Sequence, residues 1–197
     1  MPTTSPPATA TPAEAAPVTM RAAVARRYGG PGVVSVEEVP VPTPGPGEVL
    51  VAVRASSLNA LDWHFLTGTP YFLRLMAGLR RPKRTIPGAD VAGIVTAVGA
   101  DVTRWSPGDE VFGECEGGAC APYAVVAETN LVAKPEGVAF EDAGSAGVAG
   151  LTAVQGLRTH AEVRPGERVP TPPAAPLIST RSPGRTSAWV RSPCTAV

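Results

Sequence analysis

The stretch Asn59-Ala-Leu-Asp-Trp-His64 holds three polar side chains within six residues. The amide of Asn59 donates and accepts hydrogen bonds, the carboxylate of Asp62 accepts them, and the imidazole of His64 can donate or accept through its two ring nitrogens. Groups of these types can polarise a carbonyl and supply a proton to an oxygen on which negative charge develops. The stretch is therefore a candidate site for hydrogen-bonding and acid–base chemistry.

Each of these residues also has a purely structural interpretation. Asn59 is a preferred N-cap residue, and it can cap a helix and serve a site at the same time. Asp62 would lie in the first turn of that helix, where the helix dipole favours a carboxylate. His64 follows Trp63 and can be a packed surface histidine. The sequence leaves both sets of interpretations open.

Cysteine and histidine are too few and too scattered to form a common metal site. The chain has three cysteines and two histidines, with no Cys-x-x-Cys spacing; they are Cys115, Cys120, Cys194, His64 and His160. An odd cysteine count does not fit a disulfide framework and favours a reducing, cytoplasmic compartment. We expect no bound metal.

Composition excludes several classes of protein. Seventeen basic residues balance seventeen acidic ones among 197, so the overall charge points neither to nucleic acid nor to a membrane surface. No run of 18 apolar residues predicts a transmembrane helix. The basic stretch 73–84 can be a nucleic-acid or membrane patch, but we interpret it as a solvated helix end and loop. Neither nucleic acid nor a membrane is an expected partner.

The elements around the candidate site are predicted to be short β-strands and short helices. The 23 prolines and 21 glycines make the chain turn-rich, and about seven strands with frequent turns favour a barrel or sandwich. Val49, Val51 and Val53 share one face of an alternating strand. Residues 60–68 and 71–81 have helical spacing, 90–102 are predicted to be a hairpin interrupted by Gly93 and Gly99, and the pattern after Phe140 is helical.

Two ordered stretches resemble a known family. Residues 20–68, from MRAAVARRYGG to HFLTG, and residues 86–113, IPGADVAGIVTAVGADVTRWSPGDEVFG, are similar to the N-terminal half of medium-chain dehydrogenases/reductases. The similarity is greatest to the zinc-independent quinone oxidoreductase-like branch, often named NAD(P)-dependent alcohol dehydrogenases. The resemblance implies a mainly β fold with short helices, a GroES-like β-barrel, followed by only the entry to an α/β Rossmann domain.

The resemblance also implies roles for four residues. Asn59 and the position of His64, which is usually tyrosine in quinone reductases, would face the nicotinamide and the substrate, and Asp62 would lie at the same cleft. Thr152 matches a position that contacts the nicotinamide carboxamide, although threonine in a small-residue helix is also a common packing residue. The implied catalytic residues are Asn59, Asp62 and His64, and the implied cofactor-binding residues are Asn59 and Thr152.

The resemblance favours chemistry without zinc. Asn59 stands where zinc-dependent relatives have a cysteine ligand, and Gly88-Ala89-Asp90 stands where they have Gly-His-Glu. A catalytic zinc needs three protein ligands. The implied reaction is hydride transfer from NADPH or NADH to a quinone or an α,β-unsaturated carbonyl, and full-length relatives are expected to be dimers.

The sequence changes character after Val169. Four prolines, Pro170, Pro172, Pro173 and Pro176, follow Arg-Pro-Gly-Glu-Arg-Val, and proline cannot continue a central strand. The Gly-rich turn that should bind a pyrophosphate is missing. The expected parts are a disordered extension over 1–19, a GroES-like domain over 20–139, connecting helices and the start of a truncated Rossmann domain over 140–169, and a disordered, out-of-frame tail over 170–197.

Two functions remain open at this point. One is a zinc-free NAD(P)H-dependent oxidoreductase of which this chain carries the substrate-side domain. The other is a non-enzymatic remnant or protein-interaction module with a GroES-like fold. Either way, we expect the 197-residue chain to have no useful affinity for NAD(P)H, because most cofactor contacts of the family belong to the Rossmann domain.

Overall fold

Seven strands and a few short helices make up the part of the chain that the computed structural model describes, residues 18–164. The strands are β1 (Thr19–Ala25), β2 (Val34–Pro40), β3 (Glu48–Ala55), β4 (Asp90–Val98), β5 (Glu110–Glu114), β6 (Tyr123–Ala127) and β7 (Leu131–Ala133). The α-helices are α1 (Ala60–Thr67), α2 (Arg74–Ala77), α3 (Phe140–Ala143) and α4 (Gly147–Val154). Short 3-10 turns span Pro31–Val33, Tyr71–Leu73 and Glu128–Asn130, and a π-helix spans Gln155–His160. The predicted mainly β fold with short helices is confirmed.

The strands form two antiparallel sheets. β1 pairs with β2, and the other five strands are ordered β6-β3-β4-β5-β7. Within the described residues both sheets are open; the sequence predicted a barrel or a sandwich. Two backbone bonds, Ala23 N to Cys120 O at 3.1 Å and Ala25 N to Thr85 O at 2.7 Å, tie β1 to loops outside its own sheet.

The five-stranded sheet carries the main core. Val49 and Val51 are fully buried, and Val53 packs against the same cluster, which confirms the predicted shared face of β3. Their partners on the neighbouring strands and loops are Val91, Val95, Val111, Cys115, Ala119, Val126 and Leu131. A smaller cluster of Met20, Ala22, Val24 and Ala121 lies beneath β1. Both clusters lie next to the loops that carry the candidate site residues.

Two local predictions were wrong. Residues 90–98 form the single strand β4 rather than part of a hairpin, because Gly93 lies inside the strand and lets the backbone of β3 approach closely. The helix predicted over 71–81 is only a 3-10 turn followed by α2, which ends at Ala77 before Gly78, whose φ is +118°. A left-handed backbone of this kind ends a helix and suits glycine.

The chain divides into two compact units, residues 1–148 and 149–197. The described part of the second unit holds the C-terminal turns of α4 and the π-helix. β1 begins at Thr19, the last residue of the segment predicted to be disordered. The rest of that segment up to residue 17, and the proline-rich tail, lie outside the described residues. No helix within 18–164 is long and apolar enough to cross a bilayer.

Candidate functional site

Asp62 joins the start of α1 to the loop that precedes β4. Asn59 is the N-cap of α1 and Asp62 occupies the third helical position, which is the spacing of a capping box. One Asp62 oxygen accepts the Asn59 N–H at 2.8 Å and the other accepts the Gly88 N–H at 3.0 Å. The Asp62 residue is only 8% exposed. Both oxygens are therefore used to fix the local backbone.

Asp90 is the buried centre of the site. It is the first residue of β4 and has no exposed surface. Its Oδ2 accepts the Ser57 hydroxyl at 2.5 Å and the Asn59 Nδ2 at 2.9 Å, and its Oδ1 accepts the Val148 N–H at 2.8 Å. We call these four residues the Asp90 network. A buried carboxylate is tolerable when donors surround it in this way, and it then holds those donors in fixed positions.

A glycine at the start of α4 makes the network possible. A Cβ on Gly147 would lie 2.5 Å from Asp90 Oδ1. The absence of that atom lets the first turn of α4 approach the carboxylate, so that the Val148 N–H donates to it. The site thus joins the β3–α1 loop, β4 and the beginning of α4.

Asp90 and Ser57 are the two site residues that sequence reasoning missed. Asp90 was noted only as the counterpart of a glutamate in zinc-dependent relatives. The available signal was an acidic residue opening an otherwise apolar strand, Asp-Val-Ala-Gly-Ile-Val, since a carboxylate in such a position is either exposed or fully hydrogen-bonded. Ser57 carried no signal of its own.

The other two predicted site residues are His64 and Thr152. His64 is exposed on the C-terminal half of α1, and its Nδ1 is 2.8 Å from the Thr69 carbonyl oxygen. With Nδ1 donating to that carbonyl, Nε2 is left to face a substrate or solvent. Thr152 lies on α4 in the second unit. The structure brings Asn59 and Asp62 together around α1 and leaves the assigned roles of all four residues as predictions.

A cavity of about 560 Å³ adjoins Asp62. Its lining is mostly apolar and includes Leu61 and Phe65 from α1, Met76 from α2, and Cys115 from the loop after β5. Gly88 and Ala89 form part of the wall. The lining also contains five charged residues, Asp62, Lys83, Arg84, Glu114 and Glu116. A mostly apolar cavity with a few polar groups suits a small organic molecule that those groups can orient.

Cys115 is a poor nucleophile in this cavity. Its thiol donates to the Gly88 carbonyl at 3.3 Å, and burial raises its pKa to about 11. The thiolate is the reactive form of cysteine. At neutral pH Cys115 therefore contributes packing and a weak hydrogen bond, not covalent chemistry.

The donor set around Asn59 does not fit a zinc ion. Within residues 18–164 no three His, Cys, Asp or Glu side chains lie close enough together to hold a metal. The two positions that match zinc ligands by sequence carry Asn59 and Ala89. For a nicotinamide, the described residues fit one side of a site, since Asn59 offers an amide held in place by a buried carboxylate.

A family model and several known proteins match the part of the chain that holds the candidate site. The alcohol dehydrogenase GroES-like domain model matches residues 45–136. A chloroplastic quinone-oxidoreductase, QR1 of Triphysaria versicolor, is 40% identical over 146 residues, which are 72% of this chain and 43% of that protein.

Solved structures of related proteins superpose on this chain. The quinone oxidoreductase of Coxiella burnetii superposes with a TM-score of 0.65 at 29% identity, over 75% of this chain and 47% of that one. A mycobacterial protein, Rv1454c, solved as a complex with NADPH, superposes with a TM-score of 0.63 at 31% identity, over 74% of this chain and 42% of that one. The chain spans less than half the length of each of these proteins.

Proposed function

This chain belongs to the medium-chain dehydrogenase/reductase superfamily, a family of oxidoreductases, and from that premise we propose that it is the substrate-side part of an NAD(P)H-dependent reductase. The proposed substrate is a quinone or an α,β-unsaturated carbonyl. Its relatives include a protein named as a quinone-oxidoreductase and one solved with NADPH. The mostly apolar cavity beside Asp62 supports a small, weakly polar substrate.

A bound reduced nicotinamide supplies the hydride in this chemistry. The chain's own contribution is to hold polar groups where charge develops. Asp90 fixes the Asn59 amide, whose Nδ2 donates to Asp90 at 2.9 Å and to Ser57 at 3.3 Å, so that both N–H groups stay within the network and position the start of α1. Groups that are already oriented stabilise developing charge most effectively. The Asp90 network is the single observation that carries the proposal.

We assign separate roles to Asp62 and His64. Asp62 positions the backbone of Asn59 and Gly88 through its two hydrogen bonds. His64, oriented by its contact with the Thr69 carbonyl, is the proposed proton donor to the reduced substrate. Polarisation of the carbonyl by hydrogen bonds replaces zinc in this scheme, because Asn59 and Ala89 cannot supply the ligands.

Further parts of the proposal concern the longer enzyme and its compartment. Dimerisation is proposed for the longer enzyme, as is NADPH or NADH as its cofactor. Thr152 is proposed to contact the nicotinamide carboxamide. Cytoplasmic location is proposed because three cysteines, an odd number, do not fit a disulfide framework.

The test uses a chimera in which residues 1–164 are joined to the cofactor-binding domain of the mycobacterial relative. The consumption of NADPH by this chimera is measured with 1,4-naphthoquinone and with an enone as substrates. Asn59→Ala is expected to lower kcat by about tenfold or more, because it removes the amide that ties Ser57 and Asp90 to the start of α1 and so misplaces the groups of the site. Asp90→Asn is expected to lower it as well, because an amide cannot accept from all three donors. The matched control is Thr129→Ala, which changes an exposed residue outside the site.

Two outcomes would count against the proposal. A folded, NADPH-binding chimera without reductase activity on either substrate would favour the interaction module instead. Activity that chelators abolish and zinc restores would contradict the zinc-free scheme.

A further inference from the structure

A lobe between α1 and β4, residues 71–83, exposes large apolar side chains. Five of them are between 66% and 76% exposed; they are Tyr71, Phe72, Leu75, Met76 and Leu79. Single exposed apolar residues are ordinary on protein surfaces. Five within nine consecutive residues form a patch, and such patches mark interaction sites.

The lobe is folded and anchored, so this exposure belongs to a defined surface. The Arg74 guanidinium lies 4.4 Å from the Tyr28 ring centre and 4.8 Å from that of Tyr71. Arg74 Nε donates to the Gly68 carbonyl at 2.9 Å, and the Tyr28 hydroxyl donates to the Gly78 carbonyl at 2.6 Å. These contacts attach α2 to the rest of the first unit.

The lobe also carries uncompensated positive charge. No acidic residue occurs between Asp62 and Asp90. Arg80, Arg81 and Lys83 are exposed, and none of them belongs to the ion pairs found within the described residues, which are Arg26–Glu37, Arg84–Glu116 and Lys134–Glu110. Three free basic side chains thus adjoin the apolar patch.

We propose that the 71–83 lobe docks the protein on an anionic lipid surface. Aromatic and aliphatic side chains enter the boundary between headgroups and acyl chains, while nearby Arg and Lys are attracted to anionic headgroups. A nucleic acid would use the basic residues but would leave Phe72, Leu75 and Met76 in water. Because apolar and basic side chains lie on the same lobe, a lipid surface fits this lobe better than a nucleic acid does.

The lobe lies beside the cavity. Met76, Ala77, Pro82 and Lys83 belong both to the lobe and to the cavity lining. Docking would therefore bring the cavity wall to the bilayer, where lipophilic substrates concentrate. This step rests on the proposed function, whereas lipid docking itself does not.

Docking differs from what the sequence predicted. The balanced total charge argued against a membrane, and 73–84 was interpreted as a solvated loop. The net charge of the chain does not show where the charged residues lie. In the structure the basic residues share one lobe with exposed apolar residues. Local placement decides surface binding, because the attraction to anionic lipid falls off within a Debye length.

The experiment measures cosedimentation of the 197-residue chain with phosphatidylcholine vesicles that contain either no or about one-third phosphatidylserine. Binding to the anionic vesicles is expected, and it should weaken as salt is raised. The triple variant R80Q/R81Q/K83Q should lower the partition coefficient by about a hundredfold, since each basic residue near the surface contributes about fivefold. F72S/L75S/M76S should lower it by about tenfold or more as well.

Matched controls change the same residue classes elsewhere. R181Q/R185Q removes two arginines from the C-terminal stretch, and V36T/V132T makes two exposed strand valines polar; neither should alter binding. All lobe substitutions are at exposed positions, so the thermal midpoint by circular dichroism should not change. If the apolar variant fails to fold, the charge variant still decides the question.

Three results would overturn docking. One is no binding to anionic vesicles by the folded chain, and another is equal loss of binding in the control variants. The third is a concentration-dependent dimer that F72S/L75S/M76S disrupts while vesicle binding is absent, because a second copy would then be the occupant. None of these readouts uses NADPH, so the reductase proposal stands or fails separately.

Discussion

At the scale of single residues, the candidate site depends on Asp90. Its carboxylate holds Ser57, Asn59 and the first turn of α4 at distances between 2.5 and 2.9 Å. Removing the carboxylate would take away the shared acceptor of three part-buried donors, and a part-buried donor that loses its acceptor destabilises the fold. The same residue therefore serves both stability and the proposed chemistry.

Cys115 gives a prediction about pH dependence. Burial raises the pKa of its thiol to about 11, while an unfolded thiol titrates near about 8.5. A pKa that is higher in the folded state stabilises the fold below the unfolded value, and this contribution is lost as pH rises towards the folded value. We expect the wild type to lose about 2 to 3 kcal/mol of unfolding free energy between about pH 8 and 10.5 beyond what Cys115→Ala loses.

Urea unfolding at the two pH values checks this difference. Other groups titrate over the same range, but they do so equally in both proteins and cancel in the comparison. Cys120→Ala is the control and should follow the wild type. Parallel pH dependence of the wild type and Cys115→Ala would show that the thiol is not desolvated as the structure has it.

At the scale of elements, the sheet depends on Gly93 in the middle of β4. A Cβ at this position would lie 2.1 Å from the Ala52 carbonyl oxygen and 2.8 Å from a Val51 methyl carbon. Backbone cannot yield as a flexible side chain does, and overpacking of this kind costs about 1–3 kcal/mol or more. Gly93→Ala should therefore lower the free energy of unfolding by about 3 kcal/mol in urea titration.

Gly30→Ala is the matched control for this substitution. No atom lies within 4 Å of a Cβ built on Gly30, and its φ of −77° suits any residue. Its effect should stay within about 0.5 kcal/mol, as for most surface changes. Equal stability of the two variants would mean that β3 and β4 are not as close as described.

Gly93 also illustrates what sequence alone could and could not provide. Alternating apolar residues predicted β3 correctly, because burial of Val49 and Val51 follows directly from the period of a strand. A glycine inside a β-branched run was interpreted as a turn, since its role depends on the distance to a neighbouring strand. Close approach between strands leaves no mark on local sequence other than the glycine itself.

The candidate site also has one part that the sequence predicted and one part that it did not. Asn59 and Asp62 are three residues apart on one helix, so their association follows from capping chemistry. Asp90 is 31 residues from Asn59, and the first turn of α4 is farther still along the chain. Only the tertiary fold brings these residues together, which is why Asp90 was missed.

At the scale of the whole molecule, the chain is shorter than the relatives on which the proposed function is based. It spans 43% of the Triphysaria relative and 42% of the mycobacterial protein solved with NADPH. The Asp90 network can orient an amide towards a nicotinamide, but it offers nothing for a pyrophosphate. The reductase chemistry proposed above therefore needs contacts that these residues do not make.

The last prediction concerns cofactor affinity of the 197-residue chain. Dinucleotides are held chiefly through the pyrophosphate, by a Gly-rich turn and a helix N-terminus, and no G-x-G-x-x-G occurs after residue 150. We expect calorimetric titration with NADPH to give a Kd weaker than about 1 mM, corresponding to about 4 kcal/mol of binding free energy. The chimera with the mycobacterial cofactor domain is the positive control. Micromolar affinity of the chain alone would contradict this prediction and would mean that the described residues, or those beyond them, bind phosphate in a way that the family pattern does not predict.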